Sequence, residues 1–250
     1  MKAASGTDIG RVRQLNEDRV LVNPNVAGSL LAIVADGMGG HNAGEVASEM
    51  AVREIEHYFH LNPPDIRPEL RLEQLKVAVQ TANALIYGLA QRDSHMHGMG
   101  TTVVGFFADE IDLCVASVGD SRMYRLRHGK LDCLTDDHTY VNELIRSGQL
   151  QPEEAHHHPR RNVLTRSVGT DPHVKVDVQL FKLRVNDLFL LCSDGLTHRI
   201  SETVIYDTLV QPISIEEKVA QLIRQANDAG GEDNISVIII EVDHSAEGRQ

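Results

Sequence analysis

Residues 30–48, LLAIVADGMGGHNAGEVAS, contain the transition that decides the fold. Six apolar residues (30–35) predict a buried strand, and this run ends at a carboxylate, Asp36. Three glycines follow within the next four positions, and from residue 43 onward the apolar positions recur at helical spacing. A carboxylate beside an apolar core is unfavourable unless another group compensates its charge. The placement of Asp36 therefore needs a physical cause.

The rest of the chain separates into helical and strand patterns. Helices are predicted over residues 43–59, 70–89, 138–157 and 215–227, with a proline-rich loop at 60–70. Patterns rich in β-branched and apolar residues predict strands at 102–108, 111–119, 121–129, 175–183, 187–193 and 235–242. Short connections between several of these strands predict hairpins and hence antiparallel pairing. We therefore predict an α+β fold of layered antiparallel sheets, with a doubly wound parallel sheet as the alternative.

Composition narrows the classes of function. The 250 residues suffice for one large domain or two small ones, and a formal net charge of −12 disfavours nucleic-acid binding. No apolar run has the length of a membrane span, and the first residues show no signal sequence, so we expect a cytoplasmic protein without membrane association. Cys114 and Cys192 lie in apolar strand patterns, and the three cysteines show no CxxC spacing. This arrangement favours core thiols over a zinc or redox site.

Asp36 is one of several carboxylates at the ends of predicted strands. The others are, in chain order, Glu17, Asp18, Asp120, Asp194 and Asp233. Because one antiparallel strand starts beside the end of its neighbour, these groups can gather at one rim of the sheets. Such a cluster needs a compensating cation, and oxygen ligands favour Mg²⁺ and Mn²⁺. Glycine after Asp36 and Asp194 leaves room for a ligand; an ordinary Asp-Gly turn is the simpler alternative for each pair.

Eight segments resemble, in order, the metal-dependent Ser/Thr protein phosphatases called PPM or PP2C, in their bacterial form. They are TDIGRVRQLNEDR (7–19), VADGMGGHNAGEVAS (34–48), GMGTTVV (98–104), SVGDSRMYRLR (117–127), LTDDHTYVNELIRSG (134–148), RNVLTRSVG (161–169), LLCSDGLTHRIS (190–201) and GGEDNISVIII (230–240). The resemblance covers nearly the whole chain. It implies an α-β-β-α sandwich of two antiparallel sheets flanked by helix pairs, in a single domain over residues 1–250 with a flap at about 138–169.

The same resemblance implies a binuclear metal centre. Asp36 would bridge two Mn²⁺ or Mg²⁺ ions, with the Gly37 carbonyl on one of them and Asp194 and Asp233 on the other. The two ions would lower the pKa of a shared water, which would attack the phosphorus of phosphoserine or phosphothreonine in line with the departing oxygen. Hydrolysis would then be direct, without a phosphoenzyme.

Further residues match supporting positions of the family. Glu17 and Asp18 would act through bound water, and Asp120 would help to recruit a third ion. Arg13 matches the arginine that receives the substrate phosphate, and its planar guanidinium can bind two phosphate oxygens.

The general acid for the leaving group stays open at this stage. Eukaryotic members have a histidine directly after the Asp-Gly pair, whereas this chain has Met38, as bacterial relatives do. The proton could come from His41, three residues further on, or from metal-bound water.

Two other functions compete with a protein phosphatase. One is a catalytically silent regulator that binds phosphoproteins, and the other is a metal-dependent hydrolase of a small phosphate ester. The resemblance favours phosphorylated proteins as partners, including a bacterial Ser/Thr kinase of the transmembrane-receptor type and its targets. Nothing in the sequence requires a second subunit, so we expect a monomer. The run HHHP (156–159) is interpreted as a surface segment, because adjacent imidazoles rarely converge on one ion.

Overall fold

The strands of this chain form two antiparallel sheets in a computed structural model that describes residues 1–39, 43–155 and 158–243. The first sheet contains, in spatial order, β1 (Lys2–Asp8), β11 (Ile235–Glu241), β10 (Leu188–Cys192), β7 (Arg122–Arg127) and β8 (Lys130–Cys133). The second contains β2 (Asp18–Val26), β3 (Ser29–Met38), β5 (Val103–Ala108), β6 (Asp112–Val118) and β9 (Asp177–Lys182), and β4 (Gly100–Thr101) pairs with the end of β3. Every strand pairing among the described residues is antiparallel, so the parallel alternative is wrong.

Helices cover the outer face of each sheet. The long helices α1 (Ala43–Leu61) and α2 (Pro68–Arg92) pack on the second sheet, and α6 (Glu202–Leu209) and α7 (Ile215–Asp228) pack on the first. Three short α-helices and one 3-10 turn (Ser94–Met96) complete the described residues; the α-helices are α3 (Tyr140–Arg146), α4 (Pro152–Ala155) and α5 (Asp194–Thr197). The predicted α-β-β-α layering is confirmed.

Burial on both faces explains why the central strands are apolar at nearly every position. In β3, Leu30, Ala32 and Val34 face the other sheet, whereas the alternating Leu31 and Ile33 face the helices. A strand of an antiparallel sheet usually alternates apolar and polar residues because one of its faces meets water. Here both faces are covered, so the continuous run 30–35 is compatible with antiparallel pairing.

Some boundaries differ from the sequence predictions. The strands β1, β4 and β8 and the helices α5 and α6 were not predicted. Of these, β1 and β8 are less apolar than the central strands, and β4 and α5 are only two and four residues long. The helix predicted over 138–157 is instead two short helices, α3 and α4. A turn with Gly148 at φ +71° separates them, and Pro152 begins the second. Glycine in a left-handed conformation is a common helix terminator, and proline is favoured in a first helical turn.

None of the described helices combines the length and the apolar composition that a membrane crossing would require.

The contact between the two sheets should dominate stability. Phe189 is fully buried there, with its ring centroid 5.3 Å from that of Phe106. Phe189→Ala should lower the free energy of unfolding by about 3–5 kcal/mol, because it removes a large buried ring and leaves a cavity. Urea denaturation measures this change. Ile66→Ala is the control, since Ile66 is 92% exposed, and its effect should stay within about 0.5 kcal/mol. Equal effects of the two substitutions would contradict the assignment of this core.

Candidate metal centre and active site

The predicted carboxylates lie together at one rim of the two sheets. The register of β2 and β3 sets Asp18 directly opposite Asp36. Asp194 follows β10 and Asp233 precedes β11, and these two strands are antiparallel neighbours. A cavity of about 500 Å³ opens at this rim, and we call it the carboxylate cavity. Of the predicted site residues, those that line it are Arg13, Glu17, Asp36, Gly37, Asp120, Asp194 and Asp233.

Asp36 lies within strand β3 and not at its end, contrary to the sequence interpretation. The strand continues to Met38, and Gly37 and Met38 pair with β4. The Asp36 N–H donates to Thr102 Oγ1 (2.9 Å), and the Asp36 carbonyl accepts from the Thr102 N–H (2.8 Å). The backbone that carries the Asp36 carboxylate is therefore held by the sheet, which favours a fixed orientation of the side chain.

Close backbone packing explains the glycines that follow Asp36 and Asp194. A Cβ atom at Gly37 would lie 2.1 Å from the Gly44 carbonyl oxygen, and one at Gly195 would lie 1.9 Å from the Asn234 carbonyl oxygen. Only glycine allows the chain segments to approach so closely. The structure thus gives these glycines a packing reason, and the room for a ligand that the sequence suggested stays a prediction.

Burial makes the ionised state of this cluster unfavourable in the protein without metal. Burial, with the charges of neighbouring carboxylates, raises the pKa of Asp36 well above its usual value. The same causes raise the pKa values of Asp18 and Asp120 to about 7. Asp194 is the exception. Burial acts to raise its pKa, but interactions with the His198 imidazole, the Asp36 carboxyl and the charge of Arg13 outweigh burial and hold the pKa below its usual value. The cluster needs positive charge to ionise fully.

Three oxygen atoms of the cluster are buried and have no hydrogen-bond partner among the described residues. They are Glu17 Oε1, Asp18 Oδ1 and Asp194 Oδ1. Within the described ranges, no group of three or more His, Cys, Asp or Glu side chains is arranged so that these side chains alone could hold a metal ion. Mg²⁺ and Mn²⁺ do not require side-chain ligands alone, because they accept backbone carbonyls and retain several water ligands. The unpaired buried oxygens therefore fit a hard divalent cation.

Arg13 lies at the edge of the carboxylate cavity. Its Nη2 atom donates to Asp233 Oδ2 at 2.7 Å, and about half of the side chain is exposed. The hydrogen bond with Asp233 is the main cause that raises the pKa of Arg13. The residue predicted to bind phosphate thus contacts a residue predicted to bind metal and lines the same cavity.

The buried residue Asn234 is a structural part of the site to which the sequence interpretation gave no role. Its Nδ2 atom donates to the carbonyls of Ile9 and Leu15, each at 2.9 Å, and its Oδ1 accepts from the Glu17 N–H at 2.8 Å. These bonds tie residues 9–17, which carry Arg13, to the start of β11. The position of Asn234 directly after Asp233 was the only available signal, and the sequence could not show its partners.

His198 is a second residue that the sequence interpretation missed. It follows α5, and its Nδ1 atom lies 3.2 Å from Asp194 Oδ2. The four-residue spacing between Asp194 and His198 would have been the signal, because such pairs share one face of a helix. His41, the candidate acid, lies outside the described residues.

The described part of the predicted flap forms one wall of the carboxylate cavity. Its residues 164–167 line this cavity. His138 is buried, and its Nδ1 accepts from the Gly119 N–H at 3.0 Å, next to Asp120. Of the run HHHP, only His158 and the following proline are described, and the His158 ring packs against Tyr140 with a centroid distance of 5.9 Å. The interpretation of 138–169 as a flap stays a prediction.

Substitution of Asn234 tests whether its side-chain hydrogen bonds hold residues 9–17 in place. Asn234→Ala removes three hydrogen bonds and should lower the free energy of unfolding by about 2–3 kcal/mol, measured by urea denaturation of the metal-free protein. Asn25→Ala is the matched control, because Asn25 makes an exposed hydrogen bond to the Gly28 N–H. Similar losses for both substitutions would show that Asn234 does not hold residues 9–17.

Comparison with known proteins places this geometry in a family. Residues 5–238 match the family described as Protein phosphatase 2C. The chain is 41% identical to the serine/threonine phosphatase stp of Listeria welshimeri, over 100% of this chain and 99% of that protein. It is 40% identical to the protein phosphatase PhpP of Streptococcus pneumoniae, over 94% of each.

Solved structures agree with the sequence comparison. The serine/threonine phosphatase of S. agalactiae superposes with a TM-score of 0.91 at 39% identity, covering 97% of this chain and 99% of that one. The catalytic domain of the phosphatase PstP, solved in complex with two manganese ions, superposes with a TM-score of 0.83 at 35% identity, covering 95% and 96%. Matches of this extent leave one conclusion: the chain belongs to the protein phosphatase 2C family.

Proposed function

We propose that this chain is a metal-dependent Ser/Thr protein phosphatase that hydrolyses phosphoserine and phosphothreonine in proteins at a centre of two Mn²⁺ or Mg²⁺ ions. The observation that carries the proposal is the carboxylate cavity, where Arg13 lies with Glu17 and Asp194, each of which has a buried, unpaired carboxylate oxygen. Membership of the family supports the class of activity. The two manganese ions of the PstP structure support the number of metal ions.

The proposed metal ligands come from both sheets. Asp36 and the Gly37 carbonyl belong to the second sheet, and Asp194 and Asp233 belong to the rim of the first. When bound, two such ions would lower the pKa of a water molecule between them and screen the charge of the phosphate oxygens. Each sheet would thus contribute to one centre, whose geometry depends on how the sheets pack.

Three further carboxylates have supporting roles in this proposal. Glu17 and Asp18 would act through water, which suits the buried, unpaired oxygen that each of them carries. Asp120 would help to hold a third ion, and it lines the carboxylate cavity from the end of β6.

Arg13 would bind the phosphate and stabilise charge that develops on it. One of its five N–H donors is used by Asp233, and the others can bind two phosphate oxygens. The departing serine or threonine oxygen also needs a proton. His41 and water are the two candidate sources.

A protein substrate suits the space beside the carboxylate cavity better than a small ester. A second cavity of about 660 Å³, here called the side cavity, shares Arg13, Asp120, Asn162, Asp194 and Asp233 with the first. Its other wall includes Val141 and Ile145 of α3 and Pro152 of α4, within the predicted flap. Residues on one side of the phosphorylated side chain could occupy this space. We therefore propose that residues 1–250 form one catalytic domain and that its flap at 138–169 contacts the substrate. We also propose that the phosphatase reverses the action of a Ser/Thr kinase on that kinase and its targets.

The proposed activity is tested by phosphate release from a phosphothreonine peptide, with Mn²⁺ titrated into chelator-treated protein. We expect saturable release that depends on Mn²⁺ and is slower on free phosphothreonine. Asp36→Asn should reduce kcat by at least about 100-fold through loss of metal, and Asp228→Asn, which changes an exposed side chain at the end of α7, should not. No release at any Mn²⁺ concentration from folded protein would favour a silent phosphoprotein-binding regulator, and equal rates on both substrates would favour a small-ester hydrolase.

The proposed phosphate binding by Arg13 can be distinguished by mutation from a general effect of positive surface charge. Arg11 and Arg13 lie in the same loop, and each donates to an aspartate at 2.7 Å, but only Arg13 lines the carboxylate cavity. Arg13→Ala should raise KM for the phosphopeptide about 10-fold to 100-fold, because a charge-assisted hydrogen bond contributes about 1.5–3 kcal/mol. Steady-state kinetics measure this change, with Arg11→Ala as the control. An unchanged KM for Arg13→Ala would contradict its phosphate-binding role.

A further inference from the structure

We propose that His198 is a positioning residue for the metal centre, which orients Asp194 so that one carboxylate oxygen is fixed and the other is free to bind a cation. The inference rests on the proposed role of Asp194 as a metal ligand. It adds a residue of this chain that the resemblance to the family did not assign.

The two oxygens of Asp194 have different surroundings. Oδ2 lies 3.2 Å from His198 Nδ1, whereas Oδ1 is buried without a partner among the described residues. A carboxylate oxygen can only accept, so an imidazole with a proton on Nδ1 can donate to Oδ2 across this distance. The carboxylate is thereby held in one rotation about its last bond, and its unpaired oxygen points into buried space.

The position of His198 suits this role. Asp194 is the first residue of α5 and His198 directly follows its last, so the two side chains are four residues apart on one face. The His198 side chain is 39% exposed and lines the side cavity, whereas that of Asp194 is 17% exposed. Carboxylates that bind a metal ion are commonly held by a hydrogen bond from a second group that does not itself bind the ion.

The contact between the Asp194 and His198 side chains is not needed to form helix α5. The His198 N–H donates to the Asp194 carbonyl at 2.8 Å, so the single turn is closed by its backbone. Ser193 precedes the helix and is itself fixed, since its Oγ donates to Asp18 Oδ2 at 2.7 Å. Removal of the imidazole should therefore leave the fold intact and change only how the Asp194 carboxylate is held.

Mn²⁺ binding to the chelator-treated full-length protein tests this inference without reference to activity. The free Mn²⁺ signal in electron paramagnetic resonance gives the number and affinity of bound ions. His198→Ala should weaken Mn²⁺ binding about 10-fold or more, the usual effect of losing a group that orients a ligand. His198→Asn places an amide N–H near the position of Nδ1, so its affinity should stay within about threefold of the original. His60→Ala, at an exposed position in the last turn of α1, is the control and should leave binding unchanged.

Three outcomes would overturn the inference. If His198→Ala binds Mn²⁺ like the original protein while Asp194→Asn binds it weakly, His198 does not position the ligand, but the proposed metal centre stands. If His198→Gln retains binding and His198→Asn loses it, the histidine binds the ion directly through Nε2. If Asp194→Asn itself leaves Mn²⁺ binding unchanged, both this inference and the proposed role of Asp194 fail. Thermal melting of the metal-free variants verifies that each of them folds.

Discussion

Repulsion between closely spaced carboxylates at the rim of the two sheets limits how this protein can fold without a bound cation. Asp18 and Asp36 are directly opposite each other on neighbouring strands, where like charges are destabilising. Asp18 is buried and Asp36 is half-buried, and without metal the protein can relieve the repulsion only by retaining protons. A fold optimised for stability alone would not put aspartates at these positions. Their presence is understandable if a divalent cation is part of the working protein.

The surrounding structure holds these carboxylates by backbone contacts. Thr102 exchanges two hydrogen bonds with Asp36, and Asn234 ties residues 9–17 to β11. Glycines at 37 and 195 allow neighbouring chain segments to touch. Because the groups that hold the site belong to both sheets, relative movement of the sheets would disturb it. The large apolar interface between the sheets therefore serves the site as well as stability.

Asp194 and Asp233, at the rim of the first sheet, have neighbours with different proposed roles. A basic side chain lies beside each carboxylate: His198 lies next to Asp194, and Arg13 lies next to Asp233. The two partners differ in exposure and reach, since Arg13 is on a loop at the cavity edge whereas His198 is fixed at the end of a helical turn. This difference supports a substrate-binding role for the arginine and an orienting role for the histidine. Residues of the predicted flap line both the carboxylate cavity and the side cavity.

The sequence by itself determined the class of fold, the antiparallel pairing and the set of carboxylates, because strand periodicity and residue type are local properties. The order of motifs was sufficient to indicate the family. Only the tertiary structure decided that β3 continues through Asp36, that Gly37 and Gly195 are required by backbone packing, and which partners Asn234 and His198 have. These features depend on contacts between segments as far apart as residues 9 and 234. No local pattern encodes such contacts, because they arise when the sheets pack and bring distant chain segments within hydrogen-bonding distance.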